Sequence, residues 1–180
     1  MVKIYEEEMN ENFEGTIIDI ETIGLFDRNF KDSRQYKQIK TVIFGFVNKN
    51  KLGIYSVDED NNEKLLEEVN KILNILEKPF YAFNSDFERG VLFHNLNKEV
   101  AFERELNKEK YESKKNAEKE LNIPQYDDPF NGEGILCVTN WLKGDKEKCI
   151  KHNRSCLLKE KDIFLKRGFR IPDKLILNNE

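Results

Sequence analysis

The run Thr16 to Ile20 is rich in β-branched residues and carries two carboxylates at its end, Asp19 and Glu21. Side chains two apart on a strand point to one face, so the pair is presented together. On a buried strand such a pair is costly unless something positive sits between the two acids, and a hard divalent cation is the usual solution. A hydrated pair at an exposed strand end is the simpler alternative. A second element, Tyr81-Ala82-Phe83-Asn84-Ser85-Asp86-Phe87-Glu88, follows Pro79. Here Asn84 is placed to cap a helix, Phe87 to pack inward, and Glu88 to reach the C-terminal edge of a sheet, where α/β proteins build sites. An ordinary capped helix with two exposed acids satisfies the same pattern.

His152 is the third candidate, able to orient or deprotonate a water molecule, or simply to pack. Cys149, His152 and Cys156 stand at i, i+3 and i+7 on one helix face, a set that suggests zinc. Ends seven residues apart are separated by about 10 Å of helical rise, so a zinc ion would need only part of that set plus Cys137. The three cysteines have no CxxC spacing, and they are expected to be reduced.

The elements that must position these residues follow from periodicity. Thr16 to Ile20, Thr41 to Val47 and Leu52 to Val57 read as three consecutive strands, with Asn48, Lys49 and Asn50 as a hairpin turn. A polar and aromatic loop from Gly24 to Lys40 is expected to pass over the sheet edge. Leu65, Leu66, Val69, Ile72, Leu73 and Leu76 share one face of a helix of roughly four turns. Phe80 to Phe83 is a fourth strand, and a helix from Ser85 to about His94 follows. Residues 98 to 121 read as a charged surface helix, and the segment from Pro124 to Gly134 as a loop. A helix from about Ile135 to Leu142 stops at Gly144, and Asp145 is placed to cap a long helix ending near Arg167 and Gly168.

The whole describes one α/β domain over residues 1 to 180, with a mixed central sheet flanked by helices. Hydrophobic residues are 38% and charged residues 36% of the chain, polar but with clear apolar blocks. No basic leader with an apolar run is seen, nor any apolar stretch of about 18 residues, so the cytoplasm is the default expectation, with no membrane contact. The net charge of −4 is uneven. Residues 1 to 30 are acidic, whereas Lys143 to Arg170 holds ten Lys or Arg against Asp145, Glu147, Glu160 and Asp162. A basic flank beside an acidic site suits a phosphate-chain substrate, and a solvated helix surface is the competing explanation. Walker, nucleophile-elbow and dinucleotide motifs are lacking, which excludes support for those chemistries.

Asp19-Ile20-Glu21-Thr22-Ile23-Gly24-Leu25 resembles the first motif of the DEDD-type 3′–5′ exonucleases of the ribonuclease-H-like superfamily, a DxET stretch followed by Gly-Leu. Asn84-Ser85-Asp86-Phe87-Glu88 resembles the second, and Glu in place of the usual Asp is similar to the YprB-type branch. Leu121-Asn122-Ile123-Pro124, the loop to Gly134, Trp141, Gly144-Asp145 and His152-Asn153-Arg154 follow that branch's order, so the resemblance covers about Ile17 to Lys166.

It implies a ribonuclease-H-like fold and metal-dependent hydrolysis of DNA or RNA, from a single-stranded 3′ end. Asp19, Glu21 and Glu88 would hold Mg²⁺ or Mn²⁺, His152 would act on the water, and Thr22, Leu25, Asn84 and Phe87 would shape the pocket. Ile23, Phe26, Phe30 and Tyr36 would add stacking surfaces, or merely anchor their loop. The third motif departs from the pattern: Cys156 stands four residues after His152 where a carboxylate belongs, and the alternative i+5 position is Leu157. Glu160, one turn further, and Asp162 would substitute only if the helix were shifted. The alternative function is a nucleic-acid-binding module of the same fold that has lost turnover, and a small-molecule phosphoesterase is a weaker one.

Overall fold

In the computed structural model, residues 1–57 and 62–179 are described. The β-branched runs form strands as their composition dictates: β2 (Thr16–Ile23), β3 (Lys40–Asn48) and β4 (Lys51–Val57) make an antiparallel meander. Asn48 Oδ1 accepts from the backbone N–H of Asn50 and Lys51, closing the β3–β4 turn. A strand not foreseen, β1 (Val2–Glu8), adds antiparallel to β4 at the edge. Its Glu6-Glu7-Glu8 run hides it from pattern reading, because an exposed edge strand needs no apolar alternation. After α1 (Glu63–Leu73) come β5 (Phe80–Ala82), α2 (Ser85–Leu96) and β6 (Arg104–Glu105), the two strands lying parallel to β2. The sheet order is β1-β4-β3-β2-β5-β6, mixed and mostly antiparallel.

In α1 the apolar face forms as its spacing predicts, with Leu65, Val69, Ile72 and Leu73 buried, although the helix ends at Leu73 and not a turn later. Residues 98–121 do not form one surface helix. They hold β6, and only Lys114–Glu120 is helical, as α3, because Glu105 is drawn into the sheet by its backbone and its carboxylate. The loop from Gly24 to Lys40 does not cross a sheet edge either, since β2 is interior. It carries a 3-10 turn, Ser33–Tyr36, and packs on α2, where the Tyr36 ring lies directly against Gly90.

Helices α4 (Gly134–Leu142) and α5 (Lys146–Arg167) complete the chain, and α5 crosses β2, β3 and β4. It is buried along much of its length: Cys149, His152, Asn153, Ser155 to Lys161 and Ile163 are all shielded. Asp145 precedes α5 but pairs with Lys148 in place of capping a backbone N–H. Beyond Gly168, Arg170 bridges to Glu105, and the extended tail returns to the 3-10 turn, where Ser33 N–H donates to Ile176 O. Among the described residues no helix is long and apolar enough to cross a membrane.

Candidate functional site

β2 is central, flanked by β3 and β5, and from Thr16 to Glu21 every residue is buried. Asp19 and Glu21 therefore reach the interior, 7% and 8% exposed, rather than a hydrated strand end. The register with β3 slips between Glu21 and Thr22, so the strand bends just after the second acid before pairing resumes at Thr22 and Ile23. Opposite Asp19 in the register is Gly45, and a Cβ built there would meet Asn153 Oδ1 at 2.0 Å. The glycine lets α5 approach the sheet closely enough for Asn153 Nδ2 to donate to Asp19 Oδ2 at 2.7 Å and, at 3.5 Å, to Glu21 Oε1.

Glu88 lies in the first turn of α2, 6% exposed, with Oε2 buried and without a hydrogen-bond partner. Burial pushes its carboxyl well above the usual carboxylate range, and the charges of Asp19 and Glu160 add to the shift. Glu160 is also at the site: its side chain is 1% exposed and is ion-paired with Lys114 Nζ at 2.5 Å. Burial raises it to about 8 despite Lys114, with Asp19 contributing in the same direction. No shift of α5 is needed to bring it there. His152, Cys156 and Glu160 stand at successive i+4 positions, so one helix stripe serves all three.

Lys114, at the start of α3, reaches in from the surface to hold Asp19 Oδ1 at 3.0 Å and Glu160 at once. Burial alone would lower its pKa, and the acids around it raise it instead, well above the ordinary lysine value. Lys114 was hidden within a run of Lys, Glu and Asn, and nothing in its spacing distinguishes it from Lys115.

On the other side of Glu21, His152 Nε2 stands 3.9 Å from Glu21 Oε1 and 3.6 Å from Cys156 Sγ. Its Nδ1 is bonded to Asp128 Oδ1 at 2.7 Å, and Asp128 is held in turn by Lys159 at 2.8 Å. Burial opposes protonation of the ring, but the hydrogen bond to Asp128, with Cys156 and Glu21, raises its pKa to about 11. Burial lifts Glu21 to about 7, with Asp19 adding to the shift and His152 opposing it. Among the described residues, Glu21, His152 and Cys156 are the set of three potential ligands whose atoms lie within 4.8 Å of one another. Cys149 is directed elsewhere, its thiol donating to Cys137 O at 3.3 Å, so the cysteines do not act as one face.

Of the expected pocket residues, Leu25 is 76% exposed beyond the β2 bulge, while Thr22 is half-buried. Phe87 packs with Phe26 and Tyr36 in an aromatic triad, and Tyr36 is core rather than platform. Asn84 is exposed and does not cap α2 through its side chain. The Glu105 carboxylate takes that role, accepting from Ser85 N and Oγ at 2.8 and 3.1 Å. The basic flank is largely spent on internal pairs: Arg154 with Glu7, Lys159 with Asp128, Lys161 with Glu11, Arg167 with Glu112 and Arg170 with Glu105. Its charge count therefore does not describe a cationic surface. No family model, no curated protein and no solved structure matches the chain.

Proposed function

We propose that the chain is a ribonuclease-H-like hydrolase that cleaves phosphodiester bonds of DNA or RNA with Mg²⁺ or Mn²⁺, working from a single-stranded 3′ end. The observation that carries this reading is the convergence of Asp19, Glu21, Glu88 and Glu160, contributed by β2, α2 and α5, on one buried cluster. The mixed sheet is compatible with that fold. The chemistry of the donor set suits a divalent cation: Asp19 and Glu160 share one ammonium, and Glu88 Oε2 is buried without a hydrogen-bond partner. No three of the four acids bring oxygens within 4.8 Å of one another, so an ion would have to draw the carboxylates together. Asp19, Glu21, Glu88 and Glu160 would hold it, and when bound it supplies Lewis-acid polarisation of a phosphoryl oxygen and of the attacking water.

The chain's own residues do the rest. Asn153 fixes the Asp19 carboxylate, and Asp128 at Nδ1 fixes which imidazole nitrogen of His152 faces Glu21 and the water. Lys114 is placed to meet a phosphate oxygen with positive charge once an anion enters. Leu25, exposed just after β2, would offer an apolar surface for a terminal base, with Thr22 and Asn84 as the polar residues assigned to the same task.

One observation favours the second reading, a binding module without turnover: Lys114 already neutralises Asp19 and Glu160, and Cys156 stands between His152 and Glu160. End-labelled single-stranded DNA and RNA, incubated with Mg²⁺ or Mn²⁺, separate the two. Stepwise shortening by wild type that is lost in Asp19→Asn is expected. Intact strands that are nevertheless retained by the protein would replace the hydrolase with the module.

A further inference from the structure

The acid cluster has two chemically different halves. On one side Asp19, Glu88 and Glu160 are hard oxygen donors gathered around Lys114. On the other, Glu21, His152 and Cys156 bring one oxygen, one nitrogen and one sulfur to within 4.8 Å of one another. Sulfur and imidazole together select zinc-like ions over magnesium.

We propose that Glu21, His152 and Cys156 form a binding site for a single zinc-class transition-metal ion, supported from behind by Asp128. Bonds of about 2.3 Å to sulfur and about 2.0 Å to nitrogen, meeting near the tetrahedral angle, place the two donors about 3.5 Å apart. The observed separation of Cys156 Sγ and His152 Nε2 is 3.6 Å. Glu21 Oε1 lies 3.9 Å from Nε2, against about 3.3 Å for a tetrahedral pair, a closure within reach of a side-chain torsion. The outer shell is already built. Asp128 takes Nδ1 of His152 at 2.7 Å, leaving Nε2 aimed at the other two donors, and this carboxylate–histidine arrangement is the usual support of a metal-bound imidazole. Asp128 is itself fixed by the fully buried Lys159 and by the backbone N–H of Phe130 and Gly132. Three protein ligands leave a fourth position open, as in zinc sites that bind an exogenous group rather than closed structural ones.

The site shares Glu21 with the hydrolytic reading but requires no turnover, so the two fail independently. Co²⁺, a spectroscopic stand-in for Zn²⁺, is titrated into the full chain. One equivalent should bind with intense tetrahedral d–d bands and a near-ultraviolet sulfur-to-cobalt charge-transfer band, all displaced by Zn²⁺. In Cys156→Ser the charge-transfer band should vanish, and in Cys149→Ser it should persist. Asp128→Asn should keep the band while weakening affinity about 10–100-fold. Where Cys156→Ser is poorly folded by circular dichroism, Cys156→Ala gives the same reading. Absence of Co²⁺ binding, binding without the sulfur band, or a band that survives loss of Cys156 would overturn the proposal. Strand cleavage with Mg²⁺, measured in parallel, reports on the hydrolase alone.

Discussion

At the scale of single residues, the decisive contrast is between Lys114 and Cys156. Lys114 is the positive charge that makes the buried acids tolerable, and its removal leaves them facing one another. Breaking a fully buried ion pair costs about 3–5 kcal/mol. The Lys114 side chain remains 24% exposed, so Lys114→Met should cost less, about 2–3 kcal/mol near pH 8. Near pH 5 the loss should shrink, because Glu160, raised to about 8, is then protonated in the fold. Urea denaturation at the two pH values measures this, and added Mn²⁺ should recover part of the loss at pH 8 alone. Cys156→Asp places a carboxylate where the exonuclease pattern has one. It should raise Mg²⁺ affinity at least tenfold in calorimetric titration. A variant with unchanged Mg²⁺ binding would show that position 156 lies outside the hard half of the site.

At the scale of elements, the acids on β2 and in α2 were legible as candidates from their spacing, but the choice between a buried pair and a hydrated one at a strand end needed the burial of β2. Glu160 was visible only as a distant substitute, since the i+4 continuation from His152 through Cys156 has no meaning until α5 is known to lie on β2. Lys114 and Asp128 were not legible at all, one inside a charged run and the other inside a loop, because their roles depend on contacts 95 and 24 residues away in sequence. The missed β1 and the divided 98–121 segment have the same origin: edge pairing and the burial of Glu105 are tertiary events that override local pattern. Gly45 shows how closely element packing is tied to the site. Gly45→Ala drives a methyl group into the Asn153 amide and against Leu157, so Asn153 must give up its position over Asp19 or α5 must shift. We expect a stability loss of about 1–3 kcal/mol. Divalent-ion affinity should fall as well, although residue 45 carries no ligand atom, because Asn153 holds the Asp19 carboxylate. Thermal unfolding and metal titration of the same variant check both effects.

At the scale of the whole molecule, the site makes the metal-free chain acid-loving. Raised carboxyls impose a penalty that is absent below about pH 4.5, grows with pH, and is complete above about 7 for Glu21 and about 8 for Glu160. His152, raised to about 11 from an ordinary 6.5, contributes stability that is complete below pH 6.5 and lost as pH rises towards 11. The signs agree, so Tm without metal should decline steadily from pH 5 to pH 9, and saturating divalent ion should flatten that slope. Differential scanning calorimetry at fixed ionic strength provides the test, and a flat metal-free profile would contradict it.

The tail beyond Arg170 is stitched to the loop between β2 and β3. Ser33 donates its N–H to Ile176 O and its hydroxyl to Asn178 O, receives the Asn178 N–H at 2.8 Å, and lies beside Lys37, whose ammonium reaches Asn179 O. Segments tied to one another by shared hydrogen bonds open as one unit. In hydrogen–deuterium exchange the amides of Ser33 and Asn178 should therefore lose protection at a common rate, ahead of β2. The turn after β2 would breathe on a clock set by the tail.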